Sequence, residues 1–359
     1  MFHRRFRTIT VSVVLTALAV GLGMKIVAHF SQDRPGPSAA FSKEPAPAPD
    51  KPKVLFVNSY HEGYPWSDSI VDGVLEVLKV HRFNDGRLDC SASPVALSLC
   101  CMDTKRNGTE EFKRQAGVKV KEIIESWKPD VVIGSDDNYA KYVIVPYYRG
   151  AKLPFVFCGV NWDASEYQLP CSNVTGMLEV AYIPKLMDAL RPYAHGGRVG
   201  LLGARNETNE KDVRFYAKSA GVKIEQAALV DTFEQWKQTY ADLQGKVDML
   251  ILLPPSFIQT PQEQDQARRF VLQSTRIPVG SVEEWIAPYS LICQAKLGDE
   301  QGEWVARTAL RVLAGESPGN IPLAANYQTH VILNMPLAKK LGIKFPINLI
   351  EQSTLLGEE

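Results

Sequence analysis

Three short apolar runs in each half of the chain end in a small or polar loop, and the two sets follow the same order. The runs are 53–59, 130–135 and 153–161 in the first half, and 198–204, 247–256 and 277–285 in the second. Stretches with the apolar spacing of helices separate them. Strands that alternate with helices in this way predict an α/β fold of two doubly wound parallel-sheet lobes, with a hinged cleft between them.

The length and composition of the chain suit two domains. The chain has 359 residues, 45% of them apolar, and domains usually hold about 100 to 200 residues each. We predict that lobe one comprises 53–165 plus 287–318, and lobe two 166–286 plus 319–355. The formal net charge is zero, whereas nucleic-acid-binding proteins normally carry a basic surface, so we expect no nucleic-acid partner.

The amino terminus has the pattern of an export signal. A cationic segment, 1–7, precedes an uncharged and mostly apolar segment, 8–24. We therefore expect residues 1–30 to be a signal peptide or an N-terminal membrane anchor, and the Pro/Ala-rich residues 31–52 to be a linker. Either alternative places the rest of the protein in the periplasm or elsewhere outside the cytoplasm.

The cysteines leave the redox chemistry of the chain open. Six cysteines in an exported protein permit disulfides, but their spacing does not fix the pairing. Cys90 could pair with Cys100 or Cys101. Cys158 could pair with Cys171, although its apolar strand also suits a buried free thiol. No pair of cysteines or histidines has the short spacing of metal ligands, so we expect no metal and no cofactor.

The loops that follow the predicted strands supply candidate ligand-binding residues, because loops at the carboxyl ends of parallel strands surround the crevice of such sheets. The loop 58–68 is aromatic and leads into a helix whose start would attract an anionic group. Its rings offer flat apolar surface to a ligand, or are lids on their own lobe. The loop 134–138 has carboxylates that suit a ligand ammonium, although one of them also suits a helix cap. The candidates in this half are Ser59, Tyr60, His61, Tyr64, Trp66, Ser135, Asp136, Asp137 and Asn161.

Further candidates follow the crossing into the second half. Glu179 is expected near the mouth of the cleft, and Asn206, Ser256 and Glu284 occupy the corresponding loops of lobe two, where Glu284 could instead be solvated. The sequence contains no G-x-S-x-G motif, no P-loop and no dinucleotide fingerprint, so we expect no catalytic residues. An exported hydrolase on a doubly wound scaffold is the less favoured alternative.

Five segments together resemble the extracytoplasmic substrate-binding proteins of ABC transporters, in the group with a type I periplasmic-binding fold. They are NVTGMLEV (173–180), VDMLILLPPS (247–256), IPVGSVEEW (277–285), EQGEWVARTALRVLAGESPGNIPL (300–323) and HVILNMPLAKKLGIKFP (330–346). The resemblance extends from about Lys53 to the end of the last segment. It implies two lobes joined by several crossings, a small molecule held between them, and a hinged closure.

Both lines of argument predict a protein that works by capture. A polar organic ligand, amino acid-like or another small metabolite, would favour the closed state by touching both lobes. The expected membrane partner is the permease of an ABC transporter, to which the ligand is delivered. A membrane-bound sensor that registers the closed shape is the alternative.

Overall fold

The computed structural model of the protein describes residues 51–220 and 223–357, without the side chains of 219 and 220. The predicted signal or anchor and nearly all of the predicted linker lie outside the described residues. The strands are β1 (Lys53–Asn58), β2 (His81–Arg82), β3 (Leu88–Asp89), β4 (Ala96–Cys101), β5 (Val131–Ser135), β6 (Phe155–Asn161), β7 (Val174–Glu179), β8 (Val199–Ala204), β9 (Ile224–Val230), β10 (Met249–Leu252), β11 (Val279–Ser281), β12 (Ile292–Lys296), β13 (Ala324–Ala325), β14 (Thr329–Asn334) and β15 (Thr354–Leu356).

The helices alternate with the strands through most of the chain. They are α1 (Pro65–Leu78), α2 (Glu110–Trp127), α3 (Asp136–Tyr139), α4 (Ile183–Leu190), α5 (Glu207–Ala220), α6 (Phe233–Leu243), α7 (Pro261–Ser274), α8 (Gly298–Leu313), α9 (Met335–Leu341) and α10 (Ile347–Glu351). A π-helix, Ala140–Tyr148, continues α3. Among the described residues, no helix combines the length and the apolar content needed to cross a membrane.

Two sheets with the same core order organise these strands. The first runs β13-β7-β6-β5-β1-β4 and is parallel throughout. The second runs β15-β14-β12-β11-β10-β8-β9, and its only antiparallel pairing among the described residues joins β12 to β14. Each sheet contains the order second, first, third, fourth and fifth strand of its half, which is a doubly wound order. The predicted α/β fold with two such sheets is confirmed.

All six apolar runs singled out in the sequence form strands. They are β1, β5 and β6 in the first sheet, and β8, β10 and β11 in the second. Helices cover both faces of the first sheet, so alternate residues of one strand enter different cores. Val54 and Phe56 of β1 pack on one side, and Leu55 and Val57 on the other.

The boundaries between the two halves differ from the prediction. β7 is bonded to β6, so the first sheet continues to Glu179 and does not end at residue 165. β12 is bonded to β11, so the chain up to Lys296 belongs to the second sheet although 287–318 was assigned to lobe one. β13 then returns to the first sheet. Each of these strands joins the sheet whose free edge lies beside it. The pattern of apolar residues along the sequence does not show which edge that is. We call the part built on the first sheet lobe 1 and the part built on the second sheet lobe 2.

None of the cysteine pairings that the sequence left open is formed. All six cysteines are free. Cys158 is fully buried in β6, where a small apolar side chain fits the core.

Helices α1 and α8 of lobe 1 touch backbone to backbone through two glycines. A Cβ atom on Gly302 would collide with the carbonyl oxygen of Ile70, and one on Gly73 would collide with that of Asp299. The helix α8 is therefore held against α1 at a separation that only glycine permits, directly after the crossing that ends at Lys296.

We expect Gly302→Ala to lower the free energy of unfolding by about 2 kcal/mol, because the added methyl group forces two packed backbones apart. Urea denaturation followed by circular dichroism measures the change. Gly108→Ala is the matched control, since a Cβ at Gly108 meets no atom within 4 Å and the backbone there is unstrained. Equal stability of the two variants would contradict the close packing.

Candidate functional site

The crevice of lobe 1 lies where the strand order reverses, between β1 and β5. The chain leaves the sheet in opposite directions at this point, and the loops after both strands flank the gap that results. The loop after β1 contributes Tyr60 and Tyr64, and the first residue after β5 is Asp136. The aromatic loop and the acidic loop predicted from the sequence therefore lie side by side.

The corresponding loops of lobe 2 face this crevice. The ring of Tyr64 lies 6.2 Å from the ring of Trp285, which follows β11. Trp162, after β6, donates from its Nε1 to Asp212 of α5 over 2.8 Å. Lys296, at the end of β12, contacts Glu179 at the end of β7. Both sets of loops therefore surround one interior region.

Asp136 is the most unusual group in this region. Its side chain is only 1% exposed, and its Oδ2 atom has no hydrogen-bond partner among the described residues. The hydroxyl of Ser135, also unpartnered, lies near enough to stabilise the charge slightly. Burial, together with the charge of Glu179, nevertheless raises the pKa of Asp136 to about 8. A buried carboxyl group with a free oxygen is ready to accept a hydrogen bond from a bound molecule.

Two tyrosines and a lysine form an aromatic cage beside Asp136. The rings of Tyr60 and Tyr64 meet edge to face with centroids 5.3 Å apart. The Lys105 ammonium lies 4.7 Å from the first centroid and 5.2 Å from the second. Burial lowers the pKa of Lys105, and the charges of Asp136 and Glu283 oppose that shift. We use the name aromatic cage for Tyr60, Tyr64 and the space that Lys105 Nζ occupies.

A buried ion cluster forms the base of the crevice at the crossings between the lobes. Lys296 Nζ contacts the carboxylates of Glu179 and Glu283, and it lies 5.5 Å from the centroid of the Trp66 ring. Burial alone would lower the pKa of Lys296, but Glu179, Glu283 and Asp212 together raise it. Burial raises the pKa of Glu179 to about 7 even with the lysine in contact. We call Lys296, Glu179 and Glu283 the crossing cluster.

The side of the crevice is closed by contacts between α5 and lobe 1. Lys211 Nζ donates to Asp137 Oδ1 over 2.7 Å and also contacts Glu166. The Tyr167 hydroxyl donates to the same Asp137 oxygen, and Asn161 donates to the other one. Every lone pair that Asp137 directs into the crevice is therefore already engaged by the protein.

A stacked pair of rings extends this contact. The indole of Trp162 lies parallel to the ring of Phe215, with centroids 5.3 Å apart and planes 3° apart. Trp162 has a positive φ of 63°, which is unusual for a bulky residue and directs its ring toward α5. Burial raises the pKa of its partner Asp212 to about 6.

Several predicted site residues have structural partners instead of open positions. The hydroxyl of Ser59 donates to the carbonyl of Ser135 and accepts from the amide of Tyr139, which ties the β1 and β5 exits together. The side chain of Asn206 accepts from the amide of Asn209 in the first turn of α5. These two side chains stabilise the loops that carry the site.

Four other predicted residues differ in burial. Ser256 is exposed in a turn, where its carbonyl accepts from Gln259. Glu284 is exposed, whereas its neighbour Glu283 is buried in the crossing cluster. His61 is half-buried beside the ring of Tyr64, with centroids 5.7 Å apart, and burial lowers its pKa. Glu179, expected near the mouth of the cleft, is buried at its base.

Sequence reasoning missed the cations and the whole contribution of α5. Lys105 stands in an irregular loop with no periodic signal, and Lys211 and Asp212 are indistinguishable in sequence from the solvated face of a helix. Lys296 could have been predicted, because it is a charged residue at the end of a buried strand, and the ends of such strands lie at the crevice.

A separate groove of about 550 Å³ lies on lobe 2 between α7 and the last strand. Its lining includes Leu272 and Leu355 and no residue of lobe 1. It is therefore distinct from the region between the lobes.

A sequence profile of the family described as ABC transporter substrate binding protein matches residues 107–355. The chain belongs to this family, and the resemblance predicted from the five segments is confirmed.

Relatives with a known ligand add detail. A tyrosine-binding protein of Clostridioides difficile (strain R20291) is 27% identical over 187 residues, which are 49% of this chain and 51% of the relative. The match spans about half the length of this curated relative.

Solved structures show the fold. A ligand-free, open substrate-binding protein with adhesive properties from Clostridium difficile is 19% identical, with a TM-score of 0.63, over 86% of this chain and 100% of that chain. An ABC domain from Streptococcus pneumonia in complex with L-Trp is 17% identical, with a TM-score of 0.61, over 86% and 100% of the two chains. A conserved domain protein from Vibrio cholerae is 16% identical, with a TM-score of 0.59, over 85% and 99%.

The crossing cluster generates one prediction. Lys296→Met leaves two buried carboxylates without their cation, so we expect the free energy of unfolding to fall by about 3 to 5 kcal/mol. Chemical denaturation measures the loss. Lys121→Met is the control: its partner Glu125 is exposed, and such a pair contributes little. A variant as stable as this control would show that the cluster does not support the fold.

Asp136 generates a second prediction. In the unfolded chain its carboxyl group ionises near the ordinary pKa of 3.8, and in the folded protein near 8, so the folded state retains an extra proton between these values. The unliganded protein should therefore lose stability as the pH rises from about 4 to about 8. The raised pKa values of Glu179 and Asp212 act in the same direction.

Asp136→Asn isolates the contribution of this group. We expect the slope of unfolding free energy against pH between pH 5 and pH 8, measured by urea denaturation, to become shallower in the variant. Parallel pH profiles for the two proteins would mean that Asp136 ionises normally in the folded state.

Proposed function

We propose that the protein binds an amino acid-like molecule, with a protonated amine and a flat apolar body, between its lobes and delivers it to the permease of an ABC transporter. The observation that carries this proposal is the free, buried oxygen of Asp136 next to the aromatic cage. Binding without bond making or breaking is sufficient for this function, and we propose no catalytic role for any residue.

The charges of the interior favour an amine. Asp136, Glu179, Glu283 and Asp212 all lie in the region between the lobes, and each has a pKa that burial raises. A protonated amine would donate to the free oxygen of Asp136 and favour the ionised form of these carboxyl groups. Asp137 is not its partner, because both of its oxygens are engaged by side chains of the protein.

The aromatic side chains around the proposed position of the ligand amine suit a ligand with a flat apolar part. Tyr64 is contributed by lobe 1 and Trp285 by lobe 2, with 6.2 Å between their centroids. Trp66 lies at the base of the crevice, above Lys296. An aromatic ligand can pack against rings of this kind edge to face or offset. The ligands named for the relatives, tyrosine and L-Trp, combine an amine with an aromatic ring.

Closure of the lobes follows from where these groups lie. A ligand that bonds to Asp136 and also packs against Trp285 touches both lobes at once. It therefore binds the closed state more tightly than the open state and shifts the population toward closure. The permease would accept the ligand from this closed form. Residues 1–30 would export the protein and, if retained, hold it at the membrane.

We expect isothermal titration calorimetry to show binding of L-tyrosine or L-tryptophan, and Asp136→Asn to weaken it about 10- to 100-fold, as loss of a charged hydrogen-bond partner does. Mass spectrometry of small molecules that copurify with the protein identifies the ligand independently. Asp188→Asn is the control, because Asp188 is exposed and pairs with Arg191 on the surface of lobe 2. A copurified ligand without an amine, or equal affinities of the two variants, would contradict the proposal.

A further inference from the structure

Lys105 places a positive charge in the aromatic cage, beside the carboxyl group to which the proposed ligand amine would donate. We propose that Lys105 is a resident cation of the aromatic cage, which the ammonium group of the ligand displaces, so that the site selects organic ammonium compounds with or without a carboxylate. This inference rests on the proposed function and specifies the chemical class of its ligand.

The geometry is that of a cation site. The Lys105 ammonium lies within about 6 Å of both ring centroids, the range in which a cation is attracted to an aromatic ring. Among the described residues, no carboxylate lies within 4 Å of Lys105 Nζ. The rings of Tyr60 and Tyr64 are therefore the close partners of this charge.

The position of Lys105 allows displacement. It stands in the loop between β4 and α2, and it is exposed to solvent. A flexible four-carbon stem can carry the ammonium back into water when another cation enters. Lys296 has no such freedom, since Glu179 and Glu283 hold it in a fully buried position.

The surroundings disfavour the opposite role, in which Lys105 binds a ligand carboxylate. Asp136 lies next to the cage, and its charge and those of Asp137 and Glu179 all act on Tyr60. A ligand carboxylate beside Lys105 would meet this negative field. An ammonium in the same place would be attracted by it.

The two roles of Lys105 predict opposite effects of Lys105→Met. If Lys105 is a competitor, its removal empties the cage, and we expect the affinity for tyramine, an aromatic amine without a carboxylate, to rise about fivefold or more by calorimetry. The affinity for L-tyrosine should rise or stay the same. Wild-type protein should bind tyramine and should not bind 3-(4-hydroxyphenyl)propionate, which lacks the amine.

Several outcomes overturn the inference. Weaker binding of L-tyrosine by Lys105→Met, with tyramine binding unchanged or absent, would make Lys105 a carboxylate partner while the proposed function stands. Binding of 3-(4-hydroxyphenyl)propionate by wild-type protein would do the same. If wild-type protein binds neither L-tyrosine nor tyramine, both the ligand class and this inference fail. Lys152→Met, at an exposed position of lobe 1, controls for loss of charge, and Lys105→Gln repeats the test with a polar side chain.

Discussion

One buried cation holds the two lobes in relation to each other. Lys296 ends β12 of lobe 2, Glu179 ends the corresponding strand β7 of lobe 1, and Glu283 lies in the loop after β11. The chain crosses between the lobes directly after Glu179 and again directly after Lys296. Charges buried at such a point are tolerated only with their partners in place, so the cluster fixes the crossings relative to each other. The depth of the crevice, and the placement of Trp66 above Lys296, depend on this cluster.

The rest of the site follows from an imbalance of charge above the cluster. Lys211 engages Asp137, but Asp136 has no cation in contact, and Lys105 shares the cage with two tyrosines at a distance. Such a region is costly in the empty protein, and the ligand amine that we propose would remove part of that cost. The resulting difference in free energy between the empty and the filled crevice would favour closure. This imbalance of charge lies at the reversal of strand order, which is where doubly wound sheets bind ligands.

The sequence predicted the fold well and the residues that line the crevice only in part. The apolar runs that became β1, β5, β6, β8, β10 and β11 were identifiable because strands buried on both faces read as continuous apolar segments. Tyr60 and Asp136 were identifiable because they follow such strands directly. The lysines were not, because nothing local distinguishes Lys105 or Lys211 from a solvated side chain. Glu283 points into the interior and Glu284 points into solvent. The sequence of the loop does not show which of these two neighbours is buried.

What the sequence determined by itself is the repeated strand–helix pattern, and with it two doubly wound sheets, the loops that flank the crevice and membership of a substrate-binding family. The pattern, the sheets and the loops follow from short-range periodicity along the chain, whereas the family follows from the resemblance of five segments and from the family match. Only the tertiary structure decided which sheet contains β7 and which contains β12. It also decided which carboxylates already bond to side chains of the protein, and which lysine lies in the crevice. These depend on contacts between residues far apart in sequence, such as Glu179 and Lys296, and such contacts exist only once the lobes have packed against each other.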